Sequence, residues 1–90
     1  MTYEEAETIA LQSLTYILSN RESRTTFLDK TGLDEIILRE RLKDIDHLAG
    51  VLDYLSADEQ LLSDFCTKSD VSPISAMQAW RKLANPNSNF

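Results

Sequence analysis

"FLDKTGLDEIILRERL", residues 27–42, carries the punctuation on which the fold turns. Gly32 stands out there, because the whole chain of 90 residues has only two glycines. A glycine after a helical run supplies the left-handed backbone that closes a helix. Asp34, two residues on, is a residue type that caps the start of another. Leu33 and Leu38 flank that cap at the spacing of a hydrophobic staple. The stretch therefore predicts helix, bend, helix, and it raises the question of whether the pair is a DNA-reading helix-turn-helix.

Working outward, the same punctuation recurs. Thr2 and Glu5 stand at capping-box spacing before the stripe Ala6, Ile9, Ala10, Leu14, Ile17, Leu18. Asn20 is placed to cap a second helix that ends at Gly32, and Asp34 caps a third. Asp44 opens a fourth, striped by Ile45, Leu48, Leu52 and Leu55. Ser56 and Glu59 form a capping-box pair before a fifth helix with Leu61, Leu62, Phe65 and Cys66. Ser72 followed by Pro73 starts a sixth, since proline at the first helical position loses no hydrogen bond. Its core stripe is read as Ile74, Met77, Trp80 and Leu83, and Pro86 stops it. The expectation is an all-α domain of six short helices over residues 1–84, with a flexible tail over 85–90.

A shift of 38 residues lays 14–42 over 52–80 and matches five identities, namely Leu14, Tyr16, Phe27, Lys30 and Ile36 with Leu52, Tyr54, Phe65, Lys68 and Ile74. Ordinary composition would give roughly two by chance. The caps align as well, Asn20 with Asp58 and Asp34 with Ser72. Two tandem three-helix units, about 6–42 and 45–84, are the expectation; helices of similar length and capping that align by accident are the alternative. If the repeat holds, Phe27 and Leu42 should lie over Phe65 and Trp80, all largely buried.

The net charge of −6 is unevenly spread. No Lys or Arg lies between Lys43 and Lys68, whereas Asp44, Asp46, Asp53, Asp58, Glu59 and Asp64 do. Non-specific DNA binding needs cations on phosphates, so an acidic middle opposes it. A DNA-reading pair also wants a small residue early in its first helix, where this chain has Leu28. Asp34 to Asp44 carries four acids and three bases. Against this, Arg21, Arg24, Lys30, Arg39, Arg41 and Lys43 gather in the first half and keep a nucleic-acid role for 27–42 as the alternative.

Chemistry has less support. His47 is the only histidine and sits in the first turn of a helix, where exposure is usual. Asp44 and Asp46 beside it have a structural reason, since acids there cap free N–H groups and complement the helix dipole. One histidine and one cysteine do not make a zinc site. Cys66, next to Phe65, reads as a core residue. Tyr16, Tyr54 and Trp80 read as core aromatics with polar tips. No glycine-rich phosphate loop is present. No enzyme activity, cofactor or metal is expected.

"AETIALQSL", "FLDKTGL", "LRERL", "HLAGVLDYL" and "DEQLLSDFC" together resemble a family of small bacterial proteins, mostly alphaproteobacterial, classed as domain of unknown function number 3572. The resemblance runs from about Ala6 to Leu83. It implies a compact all-helical domain and brings no catalytic residues with it.

No apolar run approaches the roughly 20 residues of a membrane span, and Glu4, Glu5 and Glu7 do not suit a secretory signal. The expectation is a cytoplasmic protein acting through a protein partner or as a homodimer. One contact is proposed from "EIILRERL". Leu38 and Leu42, a turn apart, fit the core with Ile37 beside them. Ile36 then shares a face with Arg39, Glu40 and Lys43. Ile36 rimmed by Arg39 and Lys43 is the candidate partner contact; the alternative is that another helix, such as the sixth, covers Ile36.

Overall fold

The computed structural model describes residues 1–84 and holds six helices: α1 (Tyr3–Ser19), α2 (Arg21–Thr31), α3 (Glu35–Glu40), α4 (Ile45–Ser56), α5 (Glu59–Ser69) and α6 (Pro73–Ala84). No strand occurs among the described residues. The expected tail, 85–90, lies outside them.

Local chemistry places the boundaries. Thr2 and Glu5 close a reciprocal capping box at 3.1 Å each way. Asn20, Asp34 and Asp44 accept from the first free N–H groups of α2, α3 and α4. Ser72 does the same for α6 through the N–H of Ser75, 3.0 Å away. Gly32 takes a φ of 71° and donates its N–H to Leu28, ending α2. The cap of α5 is Asp58, not the Ser56–Glu59 pair, because α4 runs on through Ser56 and its carboxylate neighbour two residues later is free to accept from Gln60 and Leu61.

α1, α4 and α6 pack against one another at the centre. α2 leans on α1, while α5 touches α1, α4 and α6. Ala6, Ala10, Leu48, Leu52, Ala79 and Leu83 fill one cluster. Leu14, Ile17, Phe27, Leu38, Val51, Leu55, Phe65 and Cys66 fill the other. Two aromatic pairs cross between the halves of the chain. Tyr16 meets Phe65 with ring centroids 5.6 Å apart, and Phe27 meets Tyr54 edge-on at 4.9 Å.

Three expected core positions fail. Leu42 is 40% exposed, because α3 stops at Glu40 and the turn that follows carries Leu42 off the stripe of Leu38. In α6 the buried stripe is Ala76, Ala79 and Leu83, whereas Ile74 and Met77 are exposed. This helix lies against both α1 and α4, and small residues let the three backbones approach. The two halves are also not equivalent three-helix units: α6 packs on three helices, whereas among the described residues no other helix backbone runs close to α3. Phe27 and Phe65 are both buried, but Leu42 is not.

Candidate functional site

The residues that α6 leaves uncovered define the site. At about 100° per residue, Ala76, Ala79 and Leu83 share one face of α6. Ile74, Met77 and Arg81 share another, with Trp80 between them. Ile74 is 70% and Met77 53% exposed. Beside them the end of α4 contributes Asp53, Ser56 and Ala57, and α5 contributes the half-buried Leu62. Together they bound an open groove of about 540 Å³. Pro73, whose place at the start of α6 is set by the Ser72 cap, closes one end of this lining.

The groove is charged at its rim only. Asp53 stands on the α4 side and Arg81 on the α6 side, both exposed. Neither forms an ion pair among the described residues. Glu59, at the start of α5, borders an adjoining depression that shares Leu62 and Pro73 with the groove.

The residues singled out for a partner contact fall elsewhere. Ile36 is 69% exposed, so no helix covers it, and Arg39 and Lys43 are exposed as well. None of the three lines the α6 groove. Arg39 and Leu42 instead border a smaller depression of about 220 Å³ with Leu38 and Leu14, next to the ion pair of Arg24 with Glu35 at 3.7 Å. In α3 the apolar side chains divide: Leu38 is buried, Ile37 half-buried and Ile36 outside.

The chemistry-bearing residues are held as structure. Asp44 Oδ1 accepts from the N–H groups of Asp46 and His47 and is thereby used as a cap. His47 is half-buried, not exposed, and its Nε2 is shielded from water without a hydrogen-bond partner. Burial pushes its pKa down, outweighing the pull of Asp44. No group of three or more metal-ligating side chains gathers among the described residues. Cys66 is buried and free, and burial raises its thiol pKa, away from the thiolate a nucleophile needs. Tyr16 donates its hydroxyl to Asp64, which also pairs with Lys68 at 3.3 Å. Burial, and then this bond to a carboxylate, push the Tyr16 pKa up to about 12.

The groove was hidden in the sequence by a rival reading of α6. Ile74, Met77 and Trp80 keep helical spacing, and so do Ala76, Ala79 and Leu83. A helix with two apolar stripes and only one core to face is the signal that marks the site.

The model of the family described as Protein of unknown function (DUF3572) matches residues 3–86. The chain belongs to that family. The match spans all six helices, so the groove and the Ile36 face both lie within the DUF3572 domain. Comparison with curated proteins and with solved structures finds no match. Among the described residues of this DUF3572 domain, no helix is long and apolar enough to cross a membrane.

Proposed function

We propose that the chain is a small non-enzymatic helical domain that works by docking a protein partner in the groove between α4, α5 and α6. The observation that carries this is the exposure of Ile74 and Met77 beside Trp80 and Leu62, a contiguous apolar surface in a domain whose core is filled by other residues. Such surfaces on small domains mark interaction sites. Ile36, exposed on α3 with Arg39 and Lys43, is a second and separate contact point. A cytoplasmic setting fits the lone Cys66, held as a free buried thiol. A nucleic-acid role for 27–42 draws less support, because α3 has six residues, about 9 Å of helix, with acids at both ends.

The test compares capture by the wild type, Ile74→Glu and Ile36→Glu from the native cell, followed by reconstitution with the purified captured protein. The expected result is a partner that binds the wild type and is lost with Ile74→Glu, while the melting temperature stays unchanged. A weaker loss with Ile36→Glu would place that residue at the margin. If the folded Ile74→Glu variant binds every purified partner as the wild type does, the groove is not the docking site.

A further inference from the structure

We propose that the occupant of the α6 groove is a basic amphipathic helix of another protein, an inference that rests on the docking role of the groove. The shape comes from α6. Its uncovered apolar residues Ile74 and Met77 lie about one helical turn apart, with the charged Arg81 a further turn along the same face, so the exposed side of α6 is a row parallel to the helix axis. A row of this spacing is matched by the i, i+3, i+7 ridge of another helix. Leu62 and Ala57 then supply the opposite side against which that helix can lie.

The charge comes from α4 and α5. Asp53 lines the groove, and Glu59 stands next to it at the start of α5. Glu59 borders a depression that adjoins the groove at Leu62 and Pro73. Asp53 and Glu59 outnumber Arg81, the one base among the groove's lining residues, and the chain as a whole carries −6. An apolar helix flanked by Lys and Arg meets this wall with opposite charge; one flanked by acids meets it with like charge. Complementarity of this kind selects partners and speeds encounter. Arg81, on the other rim, fixes the direction of the bound helix by favouring an acid at one end. A second copy of this chain is disfavoured as occupant, since it would bring another net −6 against an acidic wall.

The probes are two synthetic peptides of about 15 residues, long enough to be helical. They share one apolar face of Leu and Ile at helical spacing and carry either Lys or Glu on the polar face. Fluorescence anisotropy should show the Lys peptide binding the wild type at least about tenfold tighter than the Glu peptide, with the gap narrowing as salt rises. Ile74→Glu should cut binding of the Lys peptide by about tenfold, as loss of a central apolar contact does. The double variant Asp53→Lys, Glu59→Lys should abolish the preference. Glu22→Lys with Asp29→Lys on α2 changes the net charge equally but touches no part of the groove, and should leave the preference in place. Equal or tighter binding of the Glu peptide, still weakened by Ile74→Glu, overturns the basic partner and leaves the docking role intact. Binding of either peptide that ignores Ile74→Glu, or no binding of either, counts against the groove itself. Self-association in sedimentation that disappears with Ile74→Glu makes a second copy the occupant and overturns the inference.

Discussion

Residues 14–42 and 52–80 begin alike and end differently. Asn20 accepts from Glu22 and Ser23, and Asp58 accepts from Gln60 and Leu61, each partner 38 positions on. Gly32 and Asp70 end α2 and α5 with φ of 71° and 55°, donating to Leu28 and Cys66. Asp34 and Ser72 cap the third helix of each half through Ile37 and Ser75. Phe27 and Phe65 are both buried, and Tyr54 and Tyr16 of the opposite halves lie against them. Even the exposed Ile36 has its counterpart in the exposed Ile74. Then the halves part. α3 stops after six residues and stands apart, whereas α6 runs for twelve and sits against α1 and α4. The lesson is that a shared set of caps produces shared helix starts and turns, while packing partners decide how far a helix extends and which face it buries.

The largest expected effect tests the likeness. Phe27→Ala and Phe65→Ala should each lower unfolding free energy by about 3–5 kcal/mol in urea titration, the usual cost of truncating a buried Phe. Costs that differ by more than about 2 kcal/mol, beyond the spread from local relaxation, would show that the two aromatics do different jobs.

The next effect tests the difference. Position 79 packs between helices and its counterpart 41 lies in a turn. Ala79→Leu should overpack the centre and cost about 1–3 kcal/mol. Arg41→Leu should stay within about 0.5 kcal/mol of the wild type, as surface changes do. If the two substitutions cost the same, α3 is packed as closely as α6 and the contrast between the halves fails.

The smallest effect sharpens the likeness at the turns. No atom lies within 4 Å of where a Cβ on Gly32 would sit, so Gly32→Ala meets only backbone strain. It should lower stability by about 1 kcal/mol, the cost of a left-handed residue with a side chain. Asp70→Gly should raise stability by about 0.5 kcal/mol for the same reason, less because Asp tolerates this region. Paired melting curves that move in the same direction for both would mean that the turns are not equivalent.

By itself the sequence determined the all-helical class, the six helices and nearly every boundary. A cap acts through hydrogen bonds to residues two or three positions on, so Thr2, Asn20, Gly32, Asp34 and Asp44 could be read without knowing what they pack against. Asp58 was legible too, once it was matched with Asn20 rather than passed over for Ser56. The buried stripes of α1, α4 and α5 followed from periodicity, because each offers a single strong apolar face. Only the tertiary structure decided the site. Two stripes of α6 had equal claim to the core, and the choice fell to Ala76, Ala79 and Leu83 because α1 and α4 close in on that face from either side. That choice, made by helices far away in sequence, leaves Ile74 and Met77 in water. Leu42 and His47 moved for the same kind of reason, the one released when α3 ended early, the other drawn inward at the start of α4. Caps are local and packing is not, and here the proposed docking surface is what packing left over.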